Sequence, residues 1–234
     1  MADSVPVLAP VLAIDGPSGS GKGTISQRLS AELGWSFLDS GAVYRALALM
    51  AWEEDVLPGE VDKLVEMAGK MEISFIPEEN GVCSVKVNGA EVSEALRSEE
   101  IASLASQIAS TPAVRAALLE KQREFRRPPG LVADGRDMGT TVFPDAQLKI
   151  YLTASPEVRA ERRYKQLKEK GFDVNLPRLL GEIRERDERD AGRKASPLKP
   201  ADDACIVDTS DMTIDEVVEH IRNLLQQRLP DSAR

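Results

Sequence analysis

Hydrophobic and polar positions follow two rhythms along this chain: short unbroken apolar runs, and longer stretches in which apolar residues recur every three or four positions. The first rhythm reads as strands buried on both faces, and the second as helices packed against them. The runs predict strands at Val11–Asp15, Ser36–Asp39, 131–134, Leu148–Thr153 and Cys205–Asp208, with helices over 23–33 and 42–53. Further helices start at Thr111-Pro112 and Ser155-Pro156, each a cap residue followed by proline at the first helical position. Thr213-Ile214-Asp215-Glu216 is a capping box that opens a last helix through Leu225. Strands alternating with helices predict an α/β fold, a parallel sheet covered on both faces.

Two stretches break the alternation. Ile73–Pro77, Cys83–Val87 and 90–93 are short β segments separated by Asn80-Gly81 and Asn88-Gly89, both strong hairpin signals. They predict a small antiparallel sheet inserted at 60–110 into one unit that spans 1–234. The second break is 170–175, which divides two charged helical patterns and predicts an arginine-rich helical flap over 163–194. Two such pieces on one core suit closure over two ligands.

The candidate chemistry begins directly after the first strand. Gly16, Pro17, Ser18, Gly19, Ser20, Gly21, Lys22, Gly23 and Thr24 form a glycine-rich turn between a strand and a helix. Such a turn brings backbone N–H groups and a helix N-terminus to polyphosphate oxygens. Lys22 adds a mobile charge for the β- and γ-phosphates, so the loop reads as an ATP site. The residue after Lys22 is Gly23, and the hydroxyl that could serve a Mg²⁺ shell is displaced to Thr24. No metal ligand is assigned beyond Thr24 acting through Mg-ATP.

Composition narrows the class. The chain has 234 residues and a net charge of −9, which argues against a nucleic-acid backbone as partner. Twelve of its 30 basic residues fall within 159–194, a span of net charge +4 that suits a small polyanion. Cys83, Cys205 and the single His220 leave no material for a zinc cluster, a disulfide framework or a histidine triad. The early apolar stretch over 7–14 contains Pro10 and is too short for a membrane helix, so a soluble, cytoplasmic protein is expected. A monomer is the separate expectation for its assembly.

Four runs carry a resemblance. Gly16 to Thr24, Leu38-Asp39-Ser40-Gly41-Ala42-Val43-Tyr44-Arg45, Asp134-Gly135-Arg136-Asp137-Met138-Gly139-Thr140, and Arg186 to Arg193 followed by Pro197-Leu198 resemble the bacterial cytidylate kinases, over nearly the whole chain. Gly-Lys-Gly-Thr is itself the form seen in nucleoside monophosphate kinases. The resemblance implies a P-loop kinase core, with the β insert as acceptor-binding domain and the basic span as lid. It implies transfer of the γ-phosphoryl group of ATP, with Mg²⁺, to CMP or dCMP. By the same resemblance Arg45, Arg136 and Arg193 hold the acceptor phosphate, and Arg186 and Asp190 contact its sugar, with Ser40 beside them. Ser106, Arg115 and Asp137 would read the cytosine, and Asp134 and Gly135 belong to the same segment. Lys22, Arg136, Arg186 and Arg193 would be the catalytic cations.

From the residues alone some of these positions read differently. Asp134 closes an apolar run, as a carboxylate near Mg²⁺ would. Ser106 and Arg115 stand in ordinary helical sequence and read as surface positions. Tyr44 is as well placed for core packing as for ligand contact. Arg186, Arg189, Asp190 and Arg193 are spaced to share one helix face. A regulatory GTPase is disfavoured because no Asn-Lys-x-Asp motif occurs, and a nucleic-acid motor by the charge. The runner-up is a kinase of another small acceptor such as UMP, AMP or shikimate.

Overall fold

The computed structural model describes residues 8–78, 83–169, 171, 173–192 and 197–229, with the backbone alone at 189. Five strands, β1 (Val11–Asp15), β2 (Ser36–Asp39), β6 (Leu131–Gly135), β7 (Leu148–Thr153) and β8 (Cys205–Asp208), form a wholly parallel sheet in the order β2-β6-β1-β7-β8. β1 sits at the centre, and the chain leaves it toward β2 and β6 on one side and β7 and β8 on the other. Ligands of open parallel sheets bind at the carboxyl ends of strands beside such a reversal.

All of β1 is buried, and its side chains divide between the two faces with period two. Leu12 and Ile14 pack with Ile25 and Leu29 of α1 (Lys22–Leu33) and with Val217, Val218, Ile221 and Leu225 of α8 (Ile214–Arg228). Val11 and Ala13 face the other way, into the cluster around Val43, Ala46 and Leu47 of α2 (Ser40–Glu53). Leu29 and Leu47 are completely buried, and each such leucine contributes about 1.5–3 kcal/mol from burial alone.

The inserted sheet has three antiparallel strands, β3 (Ile73–Pro77), β4 (Cys83–Val87) and β5 (Ala90–Glu91). The Asn80-Gly81 turn lies outside the described residues. At Asn88-Gly89 both residues have positive φ, 49° and 85°, as a type I′ turn requires. The expected third segment over 90–93 shortens to two residues because the Ser93 hydroxyl, not the backbone, takes the N–H of Val85 at 2.7 Å. Phe75 of β3 stands edge-on to Phe37 of β2, centroids 5.5 Å apart, and tilted to Phe125 at 5.4 Å. Val87, Leu96, Ile101 and Ile108 join the same buried cluster as α2, so the insert shares the core's apolar interior.

The remaining helices are α3 (Val61–Lys70), α4 (Glu99–Ile108), α5 (Pro112–Arg123), α6 (Pro156–Glu169) and α7 (Leu176–Ala191). α3 went unread in the sequence, although it buries Leu64, Met67 and Ala68 at helical spacing. α1 starts at Lys22 rather than 23, α2 at Ser40 rather than 42, and α8 runs on to Arg228 beyond the last deeply buried position, Leu225. After β6 the backbone makes a π-helical turn, Met138–Val142. Among the described residues no helix is long and apolar enough to cross a membrane.

Candidate active site

The glycine-rich turn joins β1 to α1 at the centre of the sheet. Gly16 has φ 150°, and a Cβ there would stand 2.0 Å from the Leu152 carbonyl oxygen, so only glycine fits. Gly19 and Gly21 also have positive φ, 78° and 91°. Gly21 occupies the cap position of α1 without a side-chain cap bond, leaving the first-turn N–H groups for an anion. The loop is braced from below: Ser20 Oγ donates to Pro17 O at 3.0 Å, and Thr209 Oγ1 donates to Ser20 O at 3.3 Å.

Lys22 is buried, its Nζ donating to Pro17 O at 3.0 Å and standing 4.0 Å from Asp134 Oδ1. Burial pushes the lysine's pKa down, which Asp134 and Asp39 oppose while Arg136 and Arg186 reinforce it. Burial also pushes the Asp134 carboxyl up, against the pull of Lys22, with Asp39 adding to the rise. Arg136 and Arg186 are therefore close enough to be felt at the phosphate loop. Thr24 lies in the first turn of α1 and is exposed.

Beside the loop opens a pocket lined by Ser40, Gly41, Tyr44, Arg45, Ser106, Arg115, Gly135, Arg136, Asp137 and Arg186, with Ala102, Ala105 and Ala109 as its apolar wall. Asp39 caps α2 by accepting from the Ala42 N–H at 2.8 Å, and its other oxygen accepts from Arg45 Nη2 at 3.1 Å. One carboxylate thus starts the helix and aims the arginine. At the pocket's far end Arg115 of α5 pairs with Asp137, both nearly buried, and the guanidinium lies 5.6 Å from the centre of the Tyr44 ring. Arg136 donates from Nε to Asp190 Oδ2 on α7 at 2.5 Å.

The pocket thus brings together Ser40, Arg45, Ser106, Arg115, Gly135, Arg136, Asp137 and Arg186, drawn from α2, α4, α5, the β6 end and α7. Asp190 joins them through Arg136, and Asp134 sits between the pocket and Lys22. Arg193 lies outside the described residues. Two readings from the residues alone are corrected. Arg115 is not a surface residue, its side chain being 13% exposed, and Ser106 is half-buried, because α4 and α5 turn those faces onto α2 and the β6 loop. Tyr44 is both buried core and pocket wall.

Three contributors went unread in the sequence. Asp15, at the end of β1, accepts from the N–H groups of Met138 and Gly139, both at 2.8 Å. Burial raises its pKa to about 6, with Asp137 adding to the rise and the two N–H bonds and Lys22 opposing it. Asp39 stood in a recognised run without a role. Arg159 of α6 is buried across the phosphate loop, donating to Ser18 O at 3.1 Å, Ala154 O at 3.0 Å and Asp187 Oδ1 of α7 at 3.0 Å. It was one basic residue among twelve, and spacing alone does not say which of them turns inward. A second cavity on that side is lined by Pro17, Tyr151, Arg159, Asp187, Leu198 and Asp208, among others.

The sequence model of the family described as cytidylate kinase matches residues 12–227. A cytidylate kinase of Aeromonas salmonicida (strain A449) is 54% identical over 229 residues, 98% of this chain and 99% of that protein. One of Shewanella loihica (strain ATCC BAA-1088 / PV-4) is 52% identical over 95% of this chain and 97% of its own length. One of Proteus mirabilis (strain HI4320) is 54% identical over 91% and 94% respectively. A match spanning the phosphate loop, the inserted sheet, the Asp134 to Thr140 run and α7 means that the chain belongs to the cytidylate kinase family.

Proposed function

We propose that this protein transfers the γ-phosphoryl group of ATP to CMP or dCMP, yielding ADP and CDP or dCDP. The observation that carries the reading is the pocket beside the phosphate loop, whose lining joins the cations Arg45, Arg136 and Arg186 to the Arg115–Asp137 pair. A phosphate acceptor is already an anion, so the reaction needs positioning and charge neutralisation rather than a strong base. Lys22 acts on the β- and γ-phosphates, Arg45 and Arg136 grip the acceptor phosphate in their planar forks, and Arg186 serves the moving group from α7.

The base end supplies discrimination. A carboxylate accepts from the 4-amino group of cytosine and repels the 4-carbonyl of uracil, and a guanidinium donates to cytosine N3 or O2. Asp137 and Arg115, held against each other, present that pattern with little rotamer entropy left to lose. Ser106 adds a hydroxyl from α4, and Ser40 one from the start of α2.

Among the described residues no three acidic, histidine or cysteine side chains stand ready to cage a metal ion. Mg²⁺ binds through one or two protein oxygens plus substrate phosphates and water, and the site fits that pattern. Asp134, buried 4.0 Å from the Lys22 ammonium, and the Thr24 hydroxyl would hold it. Carried in with ATP, the ion would neutralise charge on the β- and γ-phosphates.

On this reading residues 60–110 form the acceptor-binding insert and 163–194 a lid that excludes water, the competing acceptor. The protein then works as a cytoplasmic monomer on small molecules, without nucleic acid or membrane. The test is a coupled assay of ADP formation with CMP, dCMP, UMP, AMP, GMP and dTMP in parallel. CMP and dCMP should lead in kcat/KM, and a clear preference for any other acceptor overturns the proposal.

A further inference from the structure

Asp137 holds the position before the first residue of the π-helical turn Met138–Val142, yet its side chain makes no cap bond to that turn. This is unusual chemistry for an aspartate, whose preferred role at a helix start is to accept one of the free N–H groups. Its carboxylate is engaged elsewhere, on Arg115 at the base end of the pocket. The turn's own bonds run from Val142 N–H to Asp137 O at 3.1 Å and from Phe143 N–H to Met138 O at 2.7 Å, so its first N–H groups find no acceptor within it. A buried N–H without an acceptor is costly.

Asp15 supplies the acceptor from 123 positions away. One carboxylate oxygen takes the Met138 N–H and the other the Gly139 N–H, both at 2.8 Å, with the acid 4% exposed. The approach to Gly139 is close: a Cβ there would stand 3.4 Å from Asp15 Oδ2 and 3.1 Å from Lys149 Cδ. Asp15 is also the residue immediately before Gly16, so one side chain ties the start of the phosphate loop to the segment bearing Arg136 and Asp137.

We infer that Asp15 is a specificity-determining positioning residue, which caps the Met138–Val142 turn in place of Asp137 and so leaves the Asp137 carboxylate free to read the acceptor base. The inference rests on the reading of Asp137 as a base contact. Without Asp15 those two N–H groups lose their acceptors, and the Asp137 carboxylate, at the cap position of the same turn, is the side chain that would be drawn back onto its own helix start and away from the pocket. Asp15→Asn sharpens the case, since an amide accepts one N–H and confronts the other with its own donor.

The test is kcat/KM for CMP and for UMP in the wild type, Asp15→Asn, Asp137→Asn and the double variant. Asp15→Asn should narrow the CMP to UMP ratio about tenfold, mainly by raising KM for CMP, and should add nothing once Asp137 is already asparagine. An unchanged ratio in Asp15→Asn beside a narrowed one in Asp137→Asn overturns the inference and leaves the base reading standing. Equal narrowing in both backgrounds also overturns it, as does a matched rise in KM for CMP and ATP with the ratio intact. If Asp137→Asn itself leaves the ratio unchanged, the base reading falls and this inference with it. Should Asp15→Asn fail to fold, amide exchange in the ligand-free wild type decides. Protected Met138 and Gly139 amides support the bridge, and exchange at open-loop rates overturns it.

Discussion

Arg136 donates to Asp190 across 54 positions of sequence, and that bond ties the pocket to α7, whose Arg186 also stands in the pocket wall. Asp190 is 1% exposed, so the contact is made in a low-dielectric setting where an ionic hydrogen bond counts for more than at the surface. Arg159 makes the parallel connection from the phosphate loop, through Asp187. α7 is therefore tied to the pocket through Asp190 and, by way of Arg159, to the phosphate loop through Asp187.

The lid reading predicts that α7 loosens when the first of these bonds is weakened. Loss of a charged hydrogen bond costs about 1.5–3 kcal/mol, so Asp190→Asn should speed amide exchange within Leu176–Ala191 by roughly 10- to 100-fold in the ligand-free protein. CMP with a non-hydrolysable ATP analogue should slow exchange across 163–194 in the wild type. Hydrogen exchange read by mass spectrometry checks both, and equal protection with and without ligands counts against a closing lid.

On the proposed function Lys22 should bear on the transition state more than on bound ATP, because negative charge migrates toward the bridging oxygen as the bond breaks. Lys22→Ala should lower kcat by a factor on the order of 10³. Circular dichroism should show an intact fold, since β1 and the helices beside it keep their apolar packing. A folded variant with a tenth of wild-type turnover would remove the lysine from its assigned role.

Asp137→Asn should erode base choice. If Asp137 contacts the base as proposed, the amide retains one acceptor oxygen but loses the charge that would repel the uracil carbonyl, and the CMP to UMP ratio in kcat/KM should narrow by about 1–3 kcal/mol. The loss should fall on CMP, with UMP little changed or improved. Steady-state rates on the two acceptors measure this directly.

Asp15 also predicts how stability varies with pH. Its folded pKa, about 6, lies above the ordinary 3.8, so between those values the folded chain binds more protons than the unfolded one. Stability from this group is fully present below pH 3.8 and is lost as pH rises through 6, a change of about 3 kcal/mol. The stability difference between wild type and Asp15→Asn should therefore shift against the wild type by most of that amount from pH 4 to pH 7. Urea denaturation at the two pH values tests it, and a constant difference contradicts the raised pKa.

The parallel sheet, the phosphate loop and the capping box at Thr213 were legible in the sequence because each depends on neighbours in the chain. A run such as Val11–Asp15 is buried whatever its partners, a loop such as Gly16 to Gly21 needs its glycines for its own backbone, and Thr213 caps a residue three positions away. Tertiary structure alone decided the pairings that make the site: Arg115 with Asp137, Arg136 with Asp190, Arg159 with Ser18 and Asp187, and Asp15 with the amides of Met138 and Gly139. Buried charges and buried amides must find partners wherever the fold delivers them, and those partners lie 22 to 141 positions away. No local pattern at Arg115 distinguishes it from an arginine on a solvated helix. Only the packing of α4 and α5 against α2 and the end of β6 makes it part of a pocket.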